Sequence, residues 1–110
     1  MALTAKQLIN AEFPASSPAT AYTVPAATKT RLTELIISNN AGAARTVNIW
    51  FVESGDSRDD ANEITGGGMS IPTGVPVILA FNTWFETGDT IQIDASGADV
   101  ALIGSGMEEA

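Results

Sequence analysis

Apolar residues in this chain recur at every second position far more often than at every third or fourth, the period of half-buried strands rather than helices. Arg45–Glu53 alternates without a break, with Val47, Ile49 and Phe51 on one face and Thr46, Asn48, Trp50 and Val52 on the other. Thr20–Val24 is rich in β-branched residues and stops at Pro25, whereas Arg31–Ser38 is apolar on both faces until Asn39-Asn40-Ala41-Gly42 breaks it. Met69–Ile71 and Val75–Phe81 are predicted as strands separated by Pro72-Thr73-Gly74. Thr87-Gly88-Asp89 predicts a turn into Thr90–Asp94, and Ser96-Gly97 a turn into a last strand over Val100–Ser105. Roughly seven short strands at this spacing predict an all-β chain, a single small antiparallel β-sandwich. Periodicity leaves open whether the sandwich is jelly-roll or immunoglobulin-like.

The first residues have a different texture. Leu3, Leu8 and Ile9 are compatible with a short helix, and Phe13-Pro14-Ala15-Ser16-Ser17-Pro18 favours an extended, polyproline-like path. The expected organisation is an extended N-terminal arm over 1–19 and a β-sandwich domain over 20–110. A loose terminus without a role is the alternative reading.

At 110 residues the chain has the length of one domain. It contains neither Cys nor His, so thiol chemistry and the commonest general base and metal ligand are missing. Thirteen acidic residues against five basic ones give a net charge of −8. The bases Lys6, Lys29, Arg31, Arg45 and Arg58 are scattered, so nucleic acid is not expected as a partner. The longest apolar run, Val77 to Phe81, is far too short for a membrane-spanning helix, and MALTAKQLINAEF makes a poor signal peptide.

The search for chemistry is correspondingly short. Without His no Ser–His–Asp arrangement can form, and neither Lys6 nor Lys29 sits in Ser-x-x-Lys spacing. No enzyme activity and no cofactor are therefore expected. Glu53, Asp56, Asp59, Asp60 and Glu63 cluster in one loop, which could offer oxygens to a hard cation. Arg58 stands where an EF-hand ligand would be if Asp56 led the loop, so a solvated loop with no metal is the favoured reading. Gly66-Gly67-Gly68 lacks the Gly-Lys-Ser/Thr of a phosphate cradle and is read as a hinge.

The aromatic residues are more informative. Trp50 and Val52 oppose the Val47/Ile49/Phe51 triplet, and Trp84-Phe85 precede the Thr87–Asp89 turn. A strand apolar on both faces needs something to cover its outer one. Either Trp50 faces a partner subunit, or Trp50 belongs to the core and the triplet faces out. Exposed tryptophans could also stack on sugar rings.

The run YTVPAATKTRLTELIISNNAGAARTVNIWFV, followed by SIPTGVPVIL and WFETGDTIQIDASGADVALIGSGMEE, resembles small β-sandwich virion proteins of tailed bacteriophages. The likeness covers residues 20–109. Its main points are the Tyr22–Pro25 opening, the Thr87–Asp89 turn and the Gly106-Met107-Glu108 ending. It implies a capsid decoration (cement) protein, made in the bacterial host cytoplasm and located on the virion surface. The partner would be the major capsid protein of the same virion, and a homotrimer would be the working unit. A tail-tip or fibre module, or a carbohydrate-binding module, are the alternatives. The expected contact residues are Phe13, Trp50, Val52, Trp84 and Phe85.

Overall fold

In β4, Arg45–Val52, the triplet turns inward: Val47 and Ile49 are fully buried, and Phe51 packs against the same core. The computed structural model describes residues 3–110, and every regular element in them is a strand. The others are β1 (Leu3–Glu12), β2 (Ala19–Thr23), β3 (Lys29–Asn39), β5 (Met69–Ile71), β6 (Val77–Phe85), β7 (Thr90–Ala95) and β8 (Val100–Glu109). They form two four-stranded antiparallel sheets, one ordered β1-β8-β3-β6 and the other β2-β7-β4-β5. That order, in which each sheet takes alternate strands from both halves of the chain, is the eight-stranded jelly roll. The all-β sandwich is thus as the pattern predicts, and its topology is settled.

The core lies between the sheets. Leu32, Leu35 and Ile37 of β3 and Val100 and Leu102 of β8 face Val47 and Ile49 of β4 and Ile91 and Ile93 of β7. Each such side chain taken out of water contributes about 1.5–3 kcal/mol before chain entropy is subtracted. The polar groups inside are paired: the Asn39 amide donates to the carbonyls of Ala43 and Ile71, and its oxygen accepts from the Ala41 amide. No buried side-chain N or O among the described residues lacks a partner.

The N-terminal segment is extended, and it belongs to the sheet. Residues 3–12, helix-compatible by spacing, form β1 and pair along the whole of β8, from Leu3 opposite Glu109 to Glu12 opposite Ala101. Residues 1 and 2 lie outside the described residues. Pairing is possible at this closeness because β8 carries glycines on its inner face. Gly104 leaves room for Ile9 and Leu35, and a side chain at Gly106 would collide with the Arg31 carbonyl and with Leu8. The Pro14–Pro18 stretch then crosses from one sheet to the other. On the way the Ala95 amide donates to the Pro14 carbonyl (3.0 Å) and the Ser16 amide to Ala95 (2.7 Å). One core therefore runs continuously across residue 19, with Ile9 and Phe13 inside it.

β6 and β8 also extend beyond the predicted strands, to Phe85 and Glu109. In each case pairing with β3 carries the strand onward.

Candidate interaction surface

The five residues expected to contact a partner do not share a surface. Phe13, Val52 and Phe85 are 1, 2 and 5 % exposed, Phe13 and Phe85 within the core and Val52 covered outside it, so none of the three is open to a partner. Phe13 is the first residue after β1 and is drawn inward as the chain changes sheets, its amide held by the Val100 carbonyl. Phe85 ends the inward row of β6, where its ring meets Phe51 edge-on at 5.0 Å. Trp50 and Trp84 do face outward, but from different sheets and so on opposite sides of the sandwich.

The outer face of the β4 sheet is polar and already engaged. Trp50 is half-buried beneath the loop that follows β4, with the Arg58 guanidinium 5.6 Å from the ring centre. Arg58 also donates to Gln92 of β7, and Asn48 donates to Asp94 at 2.7 Å. The loop itself is an ordered piece of structure. Asn62–Ile64 return alongside β4, the Phe51 amide donating to Asn62 and the Ile64 amide to Ile49. Its carboxylates are used as internal acceptors: Asp56 for the Ser57 amide, Asp59 for Ala61, and Glu63 for Thr65 and Gly67. Among the described residues no group of three or more carboxylates is arranged to hold a metal ion.

The outer face of the β6 sheet differs. Register places Ile103, Ile36 and Ile78 side by side across β8, β3 and β6, then Ser105, Glu34 and Ala80, and beyond them Met107, Arg31 and Trp84. Ile78 and Trp84 are 59 and 49 % exposed, whereas Ile36, Ile103 and Met107 are half-buried. Arg31 lies flat on this face, its Nε donating to Asn82 at 2.7 Å. Sequence reasoning found Trp84 but missed Ile36, Ile78 and Ile103. The signal was present in RLTELIIS, which is apolar on both faces, and the second face is this one.

At one end of the sandwich a polar cluster ties both sheets together. The Tyr22 hydroxyl, on β2, shares a hydrogen bond with the buried Thr30 hydroxyl at 2.7 Å and donates to Glu108 of β8. Glu108 also receives Lys6 of β1 at 3.1 Å. Burial, reinforced by the neighbouring carboxylate, pushes the Tyr22 phenol up to about 12. The hydrogen bond from Tyr22, with Lys6 behind it, holds the Glu108 carboxyl below the usual glutamate range. The arrangement is a clasp between sheets.

No protein-family model matches the chain, and the search of curated proteins also gives no match. Among solved structures, a chain of the infectious bursal disease virus Gx strain is similar in fold, with a TM-score of 0.50 over 97% of this chain at 10% identity. A chain of the Gt strain of the same virus is matched over 96% of this chain at 10% identity, with a TM-score of 0.41. This chain spans about a third of the length of either, 31% and 32% respectively. The Gx-strain likeness is one of backbone architecture, the eight-stranded sandwich.

Proposed function

We propose that the protein is a structural component of a virion, and within that class a capsid decoration (cement) protein that binds a mature phage head and holds it together by repeated contacts. The observation that carries this reading is the set of apolar side chains on the outer face of the β6 sheet, Ile36, Ile78, Ile103 and Trp84, standing on a well-packed sandwich. A monomeric domain gains nothing by keeping such a face bare, and a shell offers many copies of a surface to cover it. Two further points agree. The residue inventory favours contact over turnover, and jelly rolls are a recurrent fold of capsid domains, an analogy at the level of fold. The Gx-strain likeness supports a viral setting and is not specific to tailed phages. Binding only the assembled shell would stabilise it by mass action.

The test is to strip the protein from particles of the virus that encodes it and then add it back. Stripped particles should rupture at lower temperature, and the wild-type chain should restore them. The Ile36→Ser/Ile103→Ser double variant should restore them poorly. Particles that lack the chain altogether, or that are indifferent to it, would overturn the reading. The exposed Trp84 ring, beside Lys29 and Glu86, favours a second reading as a sugar-stacking module; binding on a glycan array that disappears in Trp84→Ala would establish it.

A further inference from the structure

We infer that β6 is a homodimerisation edge, along which two copies of the chain join their β6 strands antiparallel about a two-fold axis at Phe81. β6 is the last strand of its sheet and, among the described residues, has a strand partner only on its β3 side. Its other side presents nine residues of unpaired backbone, and an unguarded edge of that length is a template for another strand. The remaining edges are guarded. β1 carries the charged Lys6 and Glu12, β2 is five residues long between Pro18 and Pro25, and β5 is three residues long and stops at Pro72. β6 has no charge and no proline.

Two observations select a second copy as the occupant. First, the strand is complementary to itself. Exposed and covered side chains alternate along all nine residues, although Phe81 and Asn82 together stand against the single Thr33 of β3. The register that pairs all nine residues puts Phe81 opposite Phe81, Val77 opposite Phe85 and Ala80 opposite Asn82. It also puts Ile78 of each copy opposite Trp84 of the other. The two most exposed large side chains of the strand thus cover one another twice. Second, no charged residue lies between Glu63 and Glu86, in a chain whose net charge is −8. Elsewhere two copies would bring carboxylates together; along this strand they do not. The product is one continuous eight-stranded sheet whose outer apolar face is doubled, which is compatible with shell binding but does not depend on it.

The native mass of the purified protein across a concentration series tests the inference. The expected result is a species of twice 11.4 kDa that reverts to 11.4 kDa in Ile78→Lys, which places two lysines at the contact. Adding Trp84→Glu to Ile78→Lys should restore the dimer, because in this register each new lysine faces a new glutamate. Both positions are exposed, so the melting temperature of the monomeric variant checks that the fold is intact. A wild-type monomer, a trimer as the family resemblance implies, a dimer indifferent to Ile78→Lys, or a double variant that stays monomeric would each overturn it.

Discussion

Two margins of the sandwich, the β4–β5 side with its returning loop and β6, show opposite treatments of the same problem. On the β4 side the free backbone is paired twice over, by β5 along Arg45–Val47 and by the returning Asn62–Ile64 along Ile49–Phe51. The loop that does this carries Glu53, Asp56, Asp59, Asp60 and Glu63, and it seats Arg58 on Trp50. On the β6 side, among the described residues, no loop pairs with the strand's free edge, and the strand itself holds no charged residue. A protein guards the edges it must keep to itself, and the unguarded margin is where contact with another chain is expected. The outer faces also differ, polar and cross-linked over β4 and β7, and over β3 and β6 bearing Ile36, Ile78 and Trp84 beside Arg31 and Glu34.

Four substitutions would break or sharpen that contrast, in falling order of effect on stability. Phe13→Ala should cost about 3–5 kcal/mol in a denaturant melt, because the residue is a core anchor of the first strand's exit and not part of a free arm. A cost near zero would return residues 3–13 to the status of an appendage. Tyr22→Phe comes next, at about 1–3 kcal/mol, since it leaves the fully buried Thr30 hydroxyl and Glu108 without their shared partner.

That variant also has a pH signature. The Glu108 carboxyl titrates below its ordinary value of 4.5, so its contribution is present above that pH and is lost as pH falls through the folded value. The Tyr22 phenol titrates above its ordinary 10.0, so its contribution is present below pH 10 and fades as pH rises toward about 12. Melting temperature against pH should therefore flatten at both ends in Tyr22→Phe.

Arg58→Ala should cost about 0.5–1 kcal/mol at this largely exposed site, and faster hydrogen exchange at the Phe51 and Ile64 amides would show the cover loosening over β4. At concentrations where the chain is monomeric, Ile78→Lys should change stability by no more than about 0.5 kcal/mol, because there the side chain is already in water. Its effect belongs to the native mass and to the part of the stability that rises with protein concentration. A large loss of stability in Ile78→Lys would mean that β6 is not the open margin described.

Strand existence was legible because each strand carries its own pattern. Alternation in TVNIWFV and the inward Ile91 and Ile93 are where the period of two puts them, and the turns at Asn39–Gly42 and Thr87–Asp89 are local chemistry. The contact residues were legible only in part. Large aromatics mark burial as readily as exposure, so Phe13, Val52 and Phe85 carried the same signal as Trp84. Ile36 and Ile103 were hidden because nothing in a single strand shows which of its two apolar faces the second sheet will cover.

By itself, then, the amino-acid sequence determined an all-β chain of short strands with a buried face on each, and an inventory poor in catalytic groups. Those properties rest on local periods, turn residues and composition. Only the tertiary structure decided that Leu3–Glu12 is a strand, since its partner β8 is at the other end of the chain and its fit depends on Gly104 and Gly106 there. The same holds for which edge stays open. β4 is closed by a loop that folds back on it and β6 is left bare, and strand order, a matter of long-range pairing, alone distinguishes them.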